Sequence, residues 1–255
     1  MIAGGGKLDG SGILEKFVEL AGGEKAEIVV IPTASTDMSI AMPESEQQLR
    51  RMFLDLGAAM VDVIHTRDRG EADTPEFATP VMTATGIWST GGRQWRLVDA
   101  YANTATLEAT KGVLSRGGVV GGSSAGATIQ RAYLVRGDTS GNMIMMGDHE
   151  EGFAFLTNSA IDQHLLRRNR QFDMLPVLQK HPHLLGIGLD EATAVVVSGN
   201  WFEVVGNSYV AIYNTAVNVE EFPMLSKNDS RPFHFLREGD SFDLTKRILI
   251  KKERE

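Results

Sequence analysis

The alternation of apolar and polar blocks along the chain predicts strands and helices in turn. The run Glu27–Ile31 ends in four consecutive apolar residues, as expected of a strand buried on both faces of a parallel sheet. Residues 45–56 follow with leucine, methionine and phenylalanine at helical spacing. The same reasoning predicts strands at residues 60–64, 86–90 and 118–121 and a helix at residues 104–114. This rhythm predicts an α/β fold with a doubly wound, mostly parallel sheet.

The pattern changes after Gly188. Short strands are predicted at residues 193–197, 201–205 and 209–213, separated by Gly-Asn turns, and they indicate an antiparallel extension on one edge of the sheet. A polar, weakly patterned stretch then leads to a last strand at residues 247–250. No repeat or linker divides the chain, so residues 1–255 are predicted to form a single α/β domain.

Composition and charge narrow the classes of function. The chain of 255 residues has no cysteine, which excludes a disulfide scaffold, a zinc–thiolate site, an iron–sulfur cluster and a cysteine nucleophile. The net charge of −8 argues against nucleic acid as a partner, and no apolar run reaches the roughly 18 residues that span a membrane. No signal segment precedes the first strand, so we expect a cytoplasmic protein, or an exported one whose signal segment is absent from this chain.

Ser124 is the candidate nucleophile, because Gly122-Ser123-Ser124-Ala125-Gly126 fits the pattern G-x-S-x-G. A buried strand enters this turn, and the helix-compatible residues 125–133 leave it. Such a turn lifts the serine hydroxyl above the sheet and aims the Ala125 N–H at an oxyanion. The alternative is a glycine-rich turn that binds phosphate through backbone N–H groups, although no lysine follows it to make a P-loop.

A serine nucleophile needs a histidine base and an orienting carboxylate. Among the histidines, His164 follows a short segment at residues 157–161 and is predicted to lie at the start of a helix that begins at Asp162. Asp190 and Glu191 are the candidate carboxylates, because they follow an apolar strand. A helix cap and a solvated acidic turn are the simpler alternatives. The remaining histidines lie at a strand end, in loops or in the polar tail: His65, His149, His181, His183 and His234.

A further glycine-rich loop, Thr90-Gly91-Gly92-Arg93-Gln94, also ends a buried strand. In doubly wound hydrolases a loop of this kind supplies the second oxyanion donor. The alternative is a plain connection from strand to helix. Two glycine-rich strand ends, together with a histidine and an acid at others, favour a shared site.

Four segments together resemble cyanophycinase and its relatives in the dipeptidase E family of serine peptidases. The matching stretches are TGGRQ at residues 90–94, GSSAGA at 122–127, DQH at 162–164 with Arg168 and Arg170, and GIGLDEATA at 186–194. The likeness covers about residues 3–215 in the same order. It implies a flavodoxin-like sandwich, similar to class I glutamine amidotransferases, and a homodimer without a cofactor.

The resemblance implies a serine-type exopeptidase that hydrolyses β-aspartyl-arginine (isoaspartyl) linkages of cyanophycin or its fragments through an acyl-enzyme. The implied catalytic residues are Ser124, His164 and Glu191, with Gly92 and Ala125 as oxyanion donors. The implied substrate-binding or supporting residues are Gln94, Ser123, Asp162, Gln163, Arg168 and Arg170.

Three departures from the family pattern concern the substrate side of the site. Arg93 stands where relatives have an aspartate, Leu165 where they have an aromatic residue, and Asp173 where they have a third arginine. We expect Asp173 either to attract a cationic side chain of the substrate or to lie on the solvent face. The net acidity and Asp173 together predict a preference for a cationic residue after the scissile bond.

Other functions remain open at this stage. An α-aspartyl dipeptidase would share the site. An esterase of the α/β-hydrolase type would use His234 as its base, and a binding module would not use the triad at all. A metal enzyme built on His149, His181 and His183 is disfavoured, because His-Pro-His lacks the spacing that aims both rings at one ion.

Overall fold

The computed structural model describes residues 1–141, 147–213 and 232–252. Its strands are β1 (Ile2–Ala3), β2 (Glu27–Ile31), β3 (Met60–Val63), β4 (Gly86–Ser89), β5 (Val119–Ser123), β6 (Arg131–Tyr133), β7 (Leu156–Gln163), β8 (Leu185–Leu189), β9 (Thr193–Ser198), β10 (Trp201–Gly206), β11 (Val210–Tyr213), β12 (Phe233–Leu236), β13 (Ser241–Asp243) and β14 (Ile248–Ile250). Its α-helices are α1 (Ile13–Leu20), α2 (Asp37–Ile40), α3 (Ser45–Leu54), α4 (Arg69–Ala72), α5 (Pro75–Thr83), α6 (Trp95–Tyr101), α7 (Ala105–Ser115), α8 (Ala125–Thr128) and α9 (Met174–Lys180).

The larger of two sheets has the strand order β14-β13-β10-β9-β1-β5-β4-β2-β3. Strands β1, β5, β4, β2 and β3 are parallel to one another, and β9 pairs with β1 in the antiparallel sense. Strands β10, β13 and β14 continue this antiparallel half. The predicted parallel sheet with an antiparallel edge extension is therefore confirmed.

Helices cover both faces of the parallel half, as a doubly wound sheet requires. On one face, Phe17 of α1 and Phe53 of α3 pack against Trp88 of β4, with ring centroids 4.9 and 5.7 Å from the Trp88 ring. On the other face, Leu97 of α6 and Val113 of α7 lie in one buried apolar cluster with Ile87 of β4. The strands predicted in this half are confirmed, with bounds shifted by two residues at most.

A second sheet, with the order β12-β11-β8-β7-β6, was not predicted. The assignment of residues 209–213 to the edge extension is wrong, because β11 pairs with β8 instead. The sequence of apolar residues in a strand indicates that the strand is buried, but it does not indicate which neighbouring strand it pairs with. The two sheets share one core, in which Ile2 and Phe202 of the large sheet lie in the same cluster as Ile187 of the small one.

One helix predicted from the sequence is wrong, and another is shorter than expected. Residues 162–164 do not start a helix: β7 runs through Asp162 and Gln163, and His164 follows it directly. The helix predicted at residues 125–133 is only α8, and Arg131–Tyr133 forms strand β6. In the described ranges no helix is long and apolar enough to cross a membrane.

Candidate active site

Ser124 lies in the sharp turn between β5 and α8, at the carboxyl end of the parallel strands. Its backbone has φ 54° and ψ −109°, a conformation that few residues other than glycine adopt. The surrounding hydrogen bonds hold this conformation in place. The Ser124 N–H donates to Ala3 O at 3.0 Å, and the Ser124 carbonyl accepts from the N–H groups of Ala127 and Thr128. The side chain is half-buried at the edge where sites form in such folds.

His164 and Glu191 complete a chain of hydrogen bonds with Ser124. Ser124 Oγ lies 2.9 Å from His164 Nε2, and His164 Nδ1 lies 2.7 Å from Glu191 Oε1. A neutral imidazole with its proton on Nδ1 donates to the carboxylate and accepts from the serine hydroxyl. The arrangement therefore has the geometry by which a base withdraws a proton from Ser124.

The environment of His164 keeps its imidazole neutral. Burial lowers its pKa below the ordinary value of 6.5, and the positive charges of Arg168 and Arg170 lower it further. The hydrogen bond and charge of Glu191 act in the opposite direction but do not reverse the shift. A neutral imidazole at neutral pH is the form that accepts a proton.

A glycine turn after β1 packs directly against the imidazole ring. Gly5 has φ 102°, and a side-chain carbon placed on it would lie 2.5 Å from His164 Cε1. Only glycine fits this position, because both the backbone angle and the space exclude a larger residue. The Gly4 carbonyl also accepts from the His164 N–H at 3.1 Å. The turn thus fixes the ring and the backbone of His164 together.

Two backbone N–H groups beside Ser124 have no hydrogen-bond acceptor among the residues that the structure describes. They belong to Ala125, at the start of α8, and to Gly92, in the loop after β4. This loop lies against Ser124, since a side-chain carbon on Gly91 would be 3.3 Å from Ser124 Cβ. Gly92 has φ 142°, and a side-chain carbon there would overlap the Ala34 carbonyl oxygen. Both groups are therefore available to an oxyanion near Ser124.

An ion-pair network lies behind His164. Asp162 is fully buried and receives two hydrogen bonds from Arg136, at 2.7 and 2.8 Å. Arg136 also donates to Asp173 at 2.7 Å, and the Arg170 guanidinium lies 3.7 Å from Asp162. Sequence analysis did not identify Arg136, because its partners are 26 and 37 positions away in the chain.

The other predicted binding residues lie around the same centre with different contacts. Gln163 is buried, and its Oε1 has no hydrogen-bond partner among the residues that the structure describes. The Arg170 guanidinium donates to the Gln163 carbonyl at 3.0 Å. Arg168 is exposed, and no side-chain partner is recorded for it within the described ranges. Gln94 is buried and donates to Val135 O at 2.8 Å, while Ser123 ends β5 beside Ser124.

The three departures from the family pattern have definite contacts. Arg93 donates to the carbonyls of Asp138 and Gly141. Leu165 is fully buried against β8, where a side-chain carbon on Gly188 would lie 2.7 Å from it. Asp173 is paired with Arg136 and its side chain is 39% exposed. Asp173 therefore lies partly in solvent, and its carboxylate is already paired with Arg136.

The remaining histidines and Asp190 occupy other places. His234 lies in β12, opposite Ile212, whereas Ser124 bonds to His164. Asp190 contacts the backbone after His164 rather than its ring. Across residues 1–141, 147–213 and 232–252, no three His, Asp or Glu side chains are grouped to hold a metal ion.

Comparisons with known proteins agree with this geometry. The model of peptidase family S51 matches residues 1–205. The cyanophycinase of Geminocystis herdmanii (strain PCC 6308) is 32% identical over 237 residues, which cover 91% of this chain and 85% of that protein. The cyanophycinase of Trichormus variabilis is 30% identical over 255 residues, covering 96% of this chain and 84% of that protein.

Solved structures show the same fold. The crystal structure of a peptidase from an acI-B1 Actinobacterium has a TM-score of 0.72 at 25% identity, covering 94% of both chains. A putative peptidase E from Listeria monocytogenes matches in fold, with a TM-score of 0.54 over 76% of this chain and 93% of that one, at 18% identity. Taken with the family match, these findings show that the chain is a serine peptidase and belongs to peptidase family S51.

Proposed function

We propose that this peptidase is an exopeptidase for peptides built of β-aspartyl-arginine units, cyanophycin or its fragments. The observation that carries the proposal is the unbroken contact from Ser124 through His164 to Glu191, at 2.9 and 2.7 Å, in a chain similar to cyanophycinases. Ser124, His164 and Glu191 then act as nucleophile, base and orienting carboxylate.

The reaction follows from these roles in two steps. Ser124 Oγ attacks a carbonyl carbon of the aspartyl residue while its proton passes to His164 Nε2, and the N–H groups of Gly92 and Ala125 bind the oxyanion. His164 then gives the proton to the leaving amine nitrogen as the C–N bond breaks, which leaves an acyl-enzyme on Ser124. A water molecule then attacks the ester carbon as its proton passes to His164, and His164 returns that proton to Ser124 Oγ as the C–O bond breaks, which releases the acid and restores Ser124. Glu191 stabilises the imidazolium in both steps.

The polar groups around His164 bind the substrate. The exposed guanidinium of Arg168 binds a substrate carboxylate, since it is charged and no side-chain partner is recorded for it within the described ranges. Gln163 Oε1, which has no partner in the described part of the chain, accepts a hydrogen bond from a substrate N–H. Asp162 and Arg170 hold Gln163 in place, and Gln94 and Ser123 support the two loops beside Ser124.

A turnover screen of the purified protein tests the proposal. The substrates are cyanophycin, β-Asp-Arg, β-Asp-Lys, α-Asp-Arg and a simple ester, with Ser124→Ala as the inactive variant. Ser115→Ala is the matched control, because Ser115 is exposed on α7. We expect turnover of the β-linked peptides by the wild type and by Ser115→Ala. The product, dipeptide or free arginine, identifies the carbonyl that is attacked.

Some results would overturn the proposal. Turnover of the ester or of α-Asp-Arg alone would assign another substrate, and retained turnover in Ser124→Ala would remove the nucleophile. The proposal also includes a homodimer, which the resemblance implies. Sedimentation of the purified protein at the mass of one chain, 27.8 kDa, would contradict the dimer.

A further inference from the structure

Asp190, the neighbour of Glu191, contacts the backbone that carries His164. Its Oδ1 accepts hydrogen bonds from the N–H groups of Leu166 at 2.9 Å and Arg167 at 3.0 Å. These groups begin the turn that closes on the His164 carbonyl, which accepts from the Arg168 N–H. The first N–H groups of a helical turn have no partner inside the turn, so a carboxylate there satisfies them and complements their positive end.

The end of β8 thus holds His164 at successive points. The Leu189 carbonyl accepts from the Leu165 N–H at 3.1 Å, Asp190 takes the next two N–H groups, and Glu191 takes the ring Nδ1. His164 itself has φ 55°, which is unfavourable for a residue with a side chain. Such a conformation persists only where the surrounding contacts enforce it.

Asp190 is in turn fixed by the turn between β10 and β11. Ser208 Oγ donates to Asp190 Oδ2 at 2.7 Å, and the Ser208 N–H donates to Thr193 Oγ1 at 2.8 Å. The Thr193 hydroxyl donates to the Glu191 carbonyl at 3.3 Å. Asp190 is 8% exposed, so this network is largely shielded from water.

From these contacts we infer that Asp190, held by Ser208, is a positioning residue that sets the backbone of His164 and thereby the aim of its Nε2 at Ser124. The inference rests on the proposed role of His164 as the base. Misplacing a reacting group by about 1 Å costs roughly a hundredfold in rate. Loss of Asp190 therefore lowers kcat. KM changes less, because Asp162 and Arg170 rather than Asp190 hold Gln163 in place.

The test compares Asp190→Ala, Asp190→Asn and Asp243→Ala. Asp243 is the matched control, because it is also buried and its Oδ1 accepts from two backbone N–H groups, at 2.9 and 2.8 Å. It lies in β13, which β10, β9 and β1 separate from β5. We expect Asp190→Ala to lower kcat about 10- to 100-fold with KM within about twofold, and Asp243→Ala to leave both unchanged.

The conservative variant and a covalent probe separate positioning from simple loss of stability. Asparagine keeps an oxygen for Leu166 and Arg167, and its amide can donate to the Ser208 hydroxyl, so Asp190→Asn should recover most of kcat. A fluorophosphonate should label Ser124, with Oγ bonding to phosphorus as fluoride leaves, and labelling should slow in Asp190→Ala by a similar factor. This readout does not depend on the natural substrate, so it stays informative even if the peptide screen fails.

Two results would overturn the inference. The first is wild-type labelling and kcat in a folded Asp190→Ala, and the second is an equal loss in Asp243→Ala. If Asp190→Ala does not fold, Ser208→Ala replaces it. That variant should lower kcat and the labelling rate several-fold, and an unchanged rate would contradict the inference in the same way.

Discussion

Burial, and to a lesser extent the charge of Arg168, lower the pKa of His164, the proposed base. Burial and the charges of Arg168 and Arg170 lower the pKa of His164 below 6.5, so the acidic limb of kcat/KM should lie below that pH. Arg168→Gln removes a positive charge that repels the His164 imidazolium, so the pKa of His164 should rise. The acidic limb of kcat/KM should then move to higher pH. The measurement is the pH profile of kcat/KM for a β-linked dipeptide.

Arg167→Gln is the matched control for this shift. Arg167 is also exposed and adjacent in sequence, but its charge is not among the main causes of the His164 pKa shift. The acidic limb of the kcat/KM profile of Arg167→Gln should coincide with that of the wild type. A limb that stays in place in Arg168→Gln, or moves to lower pH, contradicts this account of His164.

Asp173 is predicted to make a small contribution to specificity. Its pairing with Arg136 and its partial exposure leave it a weak partner for a substrate guanidinium, worth about 0–1 kcal/mol. The wild type should therefore prefer β-Asp-Arg over β-Asp-Leu by only a few-fold on this account. Asp173→Asn should narrow the ratio of the two kcat/KM values, and Asp55→Asn, at the exposed end of α3, should not. An unchanged ratio removes Asp173 from the substrate site.

At the residue scale, the sequence indicated the residues of the proposed triad but not the contacts that hold them. Ser124, His164 and Glu191 stand out because a hydroxyl, an imidazole and a carboxylate follow strands or glycine-rich turns. Arg136 gives no such signal, and Asp190, a candidate carboxylate because it follows the same strand as Glu191, gives no sign that it contacts the backbone after His164. Their partners are fixed only by the pairing of distant strands, so no local pattern distinguishes Arg136 from a surface arginine.

At the element scale, the glycine turn after β1 is predicted to control the rate. Gly5→Ala would place a methyl group 2.5 Å from His164 Cε1, so the ring must move, and kcat should fall about a hundredfold. Gly22→Ala is the matched control, because Gly22 has φ 116° but its nearest neighbour would be 3.7 Å away. Both variants carry the backbone penalty of about 1–2 kcal/mol, which denaturant unfolding measures.

The comparison of these two variants isolates the contact with the ring. The expected outcome is a backbone penalty in both variants, with a further loss of stability and a loss of kcat in Gly5→Ala alone. If kcat is intact in Gly5→Ala, or falls as far in Gly22→Ala, the turn does not fix the imidazole.

Strands that are mostly apolar were predicted well, and β7, the strand that leads into His164, was not. Glu27–Ile31 has the predicted bounds, because a β-branched run buried on both faces has few other conformations. Strand β7 ends in Asp162 and Gln163, polar residues that locally favour a helix start. Their burial in a strand depends on Arg136 and Arg170, and the sequence does not show those contacts.

At the scale of the whole molecule, the shared core between the two sheets predicts that they unfold together. Ser124 follows a strand of the large sheet, whereas His164 and Glu191 follow strands of the small one. Thermal unfolding of the proposed single domain should therefore show one transition, with far-UV circular dichroism, tryptophan fluorescence and activity lost at the same temperature.

A core substitution sharpens this prediction. Ile187→Ala, in β8 and fully buried, should cost about 2–5 kcal/mol and lower the midpoint of all three signals equally. The substitution Leu114→Ala, at an exposed position of α7, is the control and should change the midpoint little. Separate transitions for fluorescence and activity would mean that the sheets are independent units.

The central claim is that Ser124 and His164 act as one unit in hydrolysis of a β-aspartyl peptide. The most direct measurement is kcat for Ser124→Ala, His164→Ala and the double variant, with His234→Ala as the control on β12. Each single variant should lose on the order of 10⁶ in kcat, the double variant should lose no more, and His234→Ala should change little. Losses that multiply in the double variant, or a larger loss in His234→Ala than in His164→Ala, would contradict the claim.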